Sequence, residues 1–94
     1  MRVKWLRAAR ENLDAEAQYI ARDNPLAATR MVVSIIDAVE RLQTYPASGR
    51  PGRVIGTREL VVPGTPYIVP YRVRGNNLEI LRVFHAARKW PTQF

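Results

Sequence analysis

The stretch Tyr67-Ile-Val-Pro-Tyr-Arg-Val-Arg74, Gly75-Asn-Asn77, Leu78-Glu-Ile-Leu-Arg-Val-Phe-His85 decides the fold. Two apolar runs of strand length flank a Gly/Asn turn, which is the signature of an antiparallel hairpin. A three-residue loop (Gly75-Asn76-Asn77) would pair Arg74 with Leu78, Arg72 with Ile80, Pro70 with Arg82 and Ile68 with Phe84. It would set Tyr71 with Leu81 and Val69 with Val83 on a core face, and leave Arg72, Arg82 and Phe84 together on the free face. A two-residue loop shifts every pairing by one, sets Arg72 beside Glu79 and turns Arg82 toward the Tyr71 side. The first register is preferred because it buries no arginine. Pro70 removes a ladder donor and marks a bulge or an edge.

Working outward, Arg58–Val62 reads as a preceding strand, with Pro63-Gly64-Thr65-Pro66 as the turn between. Residues 44–56 hold two prolines and three glycines and are expected to be irregular. Before them, the apolar period is helical. Leu6, Ala9, Leu13, Ala17 and Ile20 give one helix over about Leu6–Ala21. Ala28, Val32, Ile35, Val39 and Leu42 give a second over about Pro25–Gln43, with Val33 and Ile36 widening its apolar face. Asn24 is a suitable N-cap and Pro25 a suitable first helical residue. So short a link makes the helices an antiparallel hairpin, and residues 1–5 a short strand or a poorly ordered start. The fold class is α+β, with an N-terminal antiparallel helical hairpin packed on a small antiparallel β-sheet in one domain spanning 1–94.

Charge is uneven along the 94 residues. Residues 1–44 carry seven basic and six acidic side chains, whereas 45–94 carry eight basic residues against Glu59 and Glu79 alone. Thirteen of the fifteen cations are arginine, whose planar guanidinium suits phosphates and carboxylates. Such a field favours acidic partners. Glu59 and Glu79, standing among arginines, are expected to be ion-paired.

Several chemistries are excluded. With no cysteine and one histidine there is no disulfide framework, no thiolate nucleophile and no Cys/His metal site. No dinucleotide or P-loop motif is present, so no cofactor or metal is expected. Apolar runs are too short to span a membrane, and the charged N-terminus does not resemble a secretory signal, so a cytoplasmic location is expected. A metal-free ribonuclease remains possible: His85 could titrate usefully, with Arg58, Arg72, Arg82 or Arg88 stabilising the phosphorane and Tyr67, Tyr71 or Lys89 as candidates for a second proton-transfer group. Arg88, Lys89 and Trp90 extend the basic, partly aromatic end of the chain. Trp5 and Trp90 suit either packing or partner contact.

Three phrases carry a family resemblance: Gly49-Arg-Pro-Gly-Arg-Val-Ile-Gly-Thr-Arg-Glu-Leu-Val-Val62, Pro66-Tyr-Ile-Val-Pro-Tyr-Arg-Val73 and Ile80-Leu-Arg-Val-Phe-His-Ala-Ala-Arg88. Together with Tyr19-Ile20-Ala21 and Asn24-Pro25, their order resembles the RelE/ParE superfamily of toxins from type II toxin–antitoxin modules. The resemblance implies a growth-inhibiting toxin neutralised by a cognate antitoxin, in a heterodimer or larger even assembly. ParE-like members poison DNA gyrase; RelE-like members cut messenger RNA on the ribosome. Ile68 stands where nuclease members commonly carry an arginine, Ala86 and Ala87 interrupt the late basic run, and no tyrosine follows Tyr71. The resemblance is therefore closer to the ParE branch. Arg58, Arg72, Arg82, Phe84, His85, Arg88, Lys89 and Trp90 are then expected to contact target or antitoxin. The antitoxin segment is expected to be acidic and apolar by turns, covering both the basic face and hydrophobic grooves beside the hairpin.

Overall fold

The structure, a computed structural model, describes residues 1–87 and Trp90. The chain runs β1 (Arg2–Trp5), α1 (Arg7–Ala21), α2 (Pro25–Arg41), β2 (Arg50–Pro51), β3 (Arg58–Val61), β4 (Tyr67–Arg74), β5 (Asn77–Ile80) and β6 (Phe84–His85). The sheet order is β1-β5-β4-β3-β2, with β6 also paired to β4. The helical hairpin covers one face, so the architecture is the α+β sandwich expected from periodicity.

Each helix begins for a local reason. The Leu6 N–H is held by the Ile80 carbonyl at 3.0 Å, which anchors the start of α1 to the sheet. At α2, Asn24 is extended (φ −150°) and its side-chain oxygen accepts the Ala27 N–H at 3.0 Å, ahead of Pro25. That cap contributes about 1 kcal/mol.

Three features depart from the sequence reading. The sheet is mixed, because β1 enters a helix instead of a turn and lies parallel on β5, with Arg2 beside Asn77 and Lys4 beside Glu79. The loop expected to be irregular contributes a short edge strand, Arg50 and Pro51 pairing with Glu59 and Arg58. The buried face of α2 is centred on Ala28, Met31, Ile35, Ala38 and Val39; Val33 and Ile36 point outward.

The last hairpin uses both candidate registers. Near its tip, Arg74 pairs with Asn77 and Arg72 with Glu79, so the loop is the two-residue Gly75-Asn76. Gly75 has φ 62° and no non-glycine residue among those described has positive φ, which is the backbone of a type II′ turn. Further down, Ile68 pairs with Phe84 and Tyr67 with His85, as the three-residue reading expected. The one-residue offset is absorbed between 81 and 83. There Leu81 N–H donates to the Pro70 carbonyl at 2.9 Å, and Pro70 has no N–H to return. The Leu81 carbonyl instead accepts Arg82 Nη1 at 2.6 Å. Proline thus places the bulge, and the bulge side chain supplies the donor that proline lacks.

Tyr67, Val69 and Tyr71 of β4, with Leu78 and Ile80 of β5, face the helices and pack on Ala9, Met31, Ile35, Val39 and Leu42. Even-numbered β4 residues face away from the helices.

Candidate functional site

The sheet face away from the helices gathers charge from stretches far apart in sequence. Pairing places Lys4, Glu79, Arg72 and Arg74 in one group and Arg50 and Glu59 in another. Pro70, paired with Glu59 and next on this face to Arg72, lies between and is buried. Two carboxylates organise the cations. Glu79 Oε1 accepts Arg72 Nε at 2.7 Å, with Arg74 Nε at 4.0 Å. The hydrogen bond from Arg72, reinforced by the charges of Arg74 and Lys4, holds the Glu79 carboxyl below the usual carboxylate range despite the opposing effect of burial. Glu59 Oε1 accepts Arg50 Nη2 at 3.0 Å, and its Oε2 accepts the Arg53 backbone N–H at 2.8 Å. The expectation that both acids are ion-paired holds.

Cations still outnumber acids here, because the other acidic side chains of the described residues are on the helices and their connecting turn. Aromatic groups join the second carboxylate. The Arg53 guanidinium stands 3.8 Å from the centre of the Trp90 ring, and Trp90 is tilted against Phe84 at 4.8 Å between centroids. Such a cation–π contact is worth about 0.5–1 kcal/mol at an exposed site.

Two expected members of this surface lie elsewhere. Arg58 pairs with Tyr71 and so belongs to the helix side, where its Nη1 donates to the Gly49 carbonyl at 2.9 Å. His85 pairs with Tyr67 and also faces the helix side, opposite to Phe84. The His85 ring meets Tyr67 edge-on at 5.7 Å, and Tyr67 donates its hydroxyl to the buried Glu16 carboxylate at 3.1 Å. These residues line an open groove of about 620 Å³ between the hairpin and the end of the sheet, together with Tyr19, Arg30 and Ser34. Arg82 stays at the bulge between the two surfaces. Arg88 and Lys89 lie outside the described residues.

The folding therefore unites Arg72, Phe84 and Trp90 with Lys4, Arg50 and Arg53, which sequence reasoning did not single out, and separates them from His85 and Arg58. Of the Glu16–Tyr67–His85 cluster, Glu16 was missed. Its signal was a glutamate on the apolar stripe of α1, spaced three from Leu13 and four from Ile20.

Residues 3–90 match the model of the ParE toxin of the type II toxin–antitoxin system parDE. The chain belongs to the ParE toxin family. Among relatives of this ParE-family toxin, the Sinorhizobium fredii protein Y4kP, named as a candidate toxin, is 50% identical over 90 residues, covering 96% of this chain and 93% of the relative. The Caulobacter vibrioides toxin RelE2 is 37% identical over 86 residues, covering 92% and 96%. A solved chain of the chromosomal ParDE system from P. aeruginosa superposes with a TM-score of 0.83 at 34% identity, covering 90% of this chain and 95% of that one. Membership makes the protein a type II toxin with a cognate antitoxin. Among the described residues no helix is long and apolar enough to cross a membrane.

Proposed function

We propose that this ParE-family toxin acts in the bacterial cytoplasm by binding DNA gyrase and trapping its cleaved DNA complex, and that an acidic antitoxin segment neutralises it. The observation that carries this reading is the separation of His85 from the far-face arginines by the thickness of the sheet. Strand cleavage by a 2′-hydroxyl needs an acid or base beside the cations. On the far face, Arg72 and Arg50 are hydrogen-bonded to carboxylates instead, and Arg53 is ion-paired to Glu59 at 3.7 Å. A surface of this kind is suited to docking. Arg72, Arg82, Phe84 and Trp90, with Arg88 and Lys89 following, are the proposed contacts to target or antitoxin, alongside Arg58 and His85 on the helix side.

The test is a supercoiling assay with purified gyrase and toxin freed of antitoxin. Accumulation of cleaved DNA is expected, and normal supercoiling at large toxin excess refutes the reading. Charge reversal at Arg72 or Arg82 should weaken the antitoxin complex. Because Arg72→Glu would face Glu79, each variant is melted alone to separate loss of contact from loss of fold.

One observation favours a second reading, ribosome-dependent messenger RNA cleavage without a metal. Glu16, Tyr67 and His85 form a partly buried set of proton-transfer groups beside Arg30 in an open groove. Mapping transcript ends after induction tests it; intact messages with continuing translation remove it.

A further inference from the structure

Helix α2 is apolar on two sides. Opposite its buried face, Leu26, Val33 and Ile36 are 58%, 52% and 40% exposed. The patch continues into shallow grooves where Ala17 and Leu13 of α1 meet Val32. Exposed apolar side chains gathered on one helix mark a contact surface more often than isolated ones do.

Charge identifies the occupant. An acidic segment is drawn to the far sheet face, where cations are in excess. The outer face of the hairpin instead carries both signs: Arg30 and Asp37 on α2, Arg10 and Asp14 beside the groove. Arg30 and Asp37 are seven residues apart, about 10.5 Å along the helix, too far to neutralise each other. Neither makes an ion pair among the described residues.

We propose that two copies of this chain associate through α2, antiparallel about a twofold axis passing close to Val33. In that arrangement Arg30 stands level with the partner's Asp37, and Asp37 with the partner's Arg30, so one surface complements itself as an isologous dimer requires. Val33 meets its symmetry mate at the axis, and Ile36 and Leu26 extend the apolar contact along the helix on either side of it. The far sheet face stays open to antitoxin and target, while Arg30 is shared with the rim of the groove at His85; the pairing stands or falls independently of which enzyme is attacked.

The absence of native cysteine gives a clean test. A disulfide needs Cα atoms within about 7 Å, which only positions near the axis satisfy across a symmetric helix pair. Val33→Cys should therefore cross-link to itself under mild oxidation, and Ile55→Cys, fully exposed on a distant loop, should not. By sedimentation equilibrium, Val33→Glu should raise the dimer Kd about 30-fold or more with unchanged circular dichroism. Arg30→Asp and Asp37→Arg should each weaken the dimer about tenfold, and the combined swap should restore it. A wild-type chain that stays monomeric at about 100 μM overturns the proposal. So does Val33→Cys cross-linking no faster than Ile55→Cys. Loss of antitoxin binding by Val33→Glu from an otherwise monomeric chain assigns the face to the antitoxin and likewise overturns it.

Discussion

Replacing Tyr71 with phenylalanine removes one oxygen atom from the centre of the molecule. The Tyr71 hydroxyl donates to the Pro46 carbonyl at 2.7 Å and accepts the Gly49 N–H at 2.9 Å, while its ring lies fully buried under α2. Gly49 is buried as well, so its N–H has no access to water once the phenol is gone. An orphaned buried donor costs about 1–3 kcal/mol, and a half-buried carbonyl such as that of Pro46 adds up to about 1 kcal/mol. The expected loss is about 2–3 kcal/mol, a large part of the ~5–15 kcal/mol that holds a domain together. Urea unfolding should show the midpoint falling with the slope unchanged, because the surface exposed on unfolding is the same. A second readout comes from pH. Burial raises the Tyr71 pKa, opposed by the Gly49 hydrogen bond and the Arg58 charge. A raised folded value stabilises below the ordinary tyrosine pKa of about 10, and the contribution is lost as pH climbs through the folded value. That alkaline loss should be absent in Tyr71→Phe. A destabilisation under about 0.5 kcal/mol would refute the reasoning, since it would mean that the 46–49 segment is hydrated without the phenol.

The bulge is tested by a double-mutant cycle. Arg82→Ala should cost about 1–2 kcal/mol by stripping the Leu81 carbonyl of its donor, and Pro70→Ala, which restores a backbone N–H, should recover about 1 kcal/mol of that loss in the double variant. Denaturation of the four proteins gives the coupling; a value near zero means that Arg82 and Pro70 act separately. Glu79, with its carboxyl lowered chiefly by the Arg72 hydrogen bond, should contribute stability above the ordinary carboxylate value, lost as pH falls through its lowered folded value. Glu79→Gln should flatten that part of the acid limb, and Arg72→Ala should move the Glu79 titration upward by NMR. At the hairpin tip, Gly75→Ala should cost about 1–2 kcal/mol, because φ 62° is left-handed. Thermal melts showing no change would rule out the assigned turn.

The helical hairpin, the strand positions and the α+β layering were legible because apolar spacing reports burial directly. Asn24 and Pro25 announced the start of α2 through chemistry confined to four residues. The register of β4 on β5 and β6 was not legible as a single choice, since no uniform ladder exists. Pro70 was the visible clue, but the partner of its missing donor, Arg82, depends on a side chain folding back on its own strand. Val33 and Ile36 were misplaced because periodicity finds an apolar arc without saying how far burial reaches around it; Met31 and Ala38 closed the core first. The grouping of Lys4 and Arg72 about Glu79 required β1 to run parallel, which local pattern does not encode. Phe84 and His85 are neighbours along the chain, and a strand's alternation puts them on opposite sides, Phe84 with the Arg72 face and His85 with the helices.

The offset at Pro70 works as a vernier within the hairpin. Drawing Asn77 into the tip, to make a three-residue loop, would bring the upper half into phase with the lower and erase the kink. It would also turn Glu79 away from Arg72, undoing the ion pair while Phe84 and His85 kept their places. Changes at the exposed tip are thus confined to the cationic half, and the groove beside Glu16 is insulated from them.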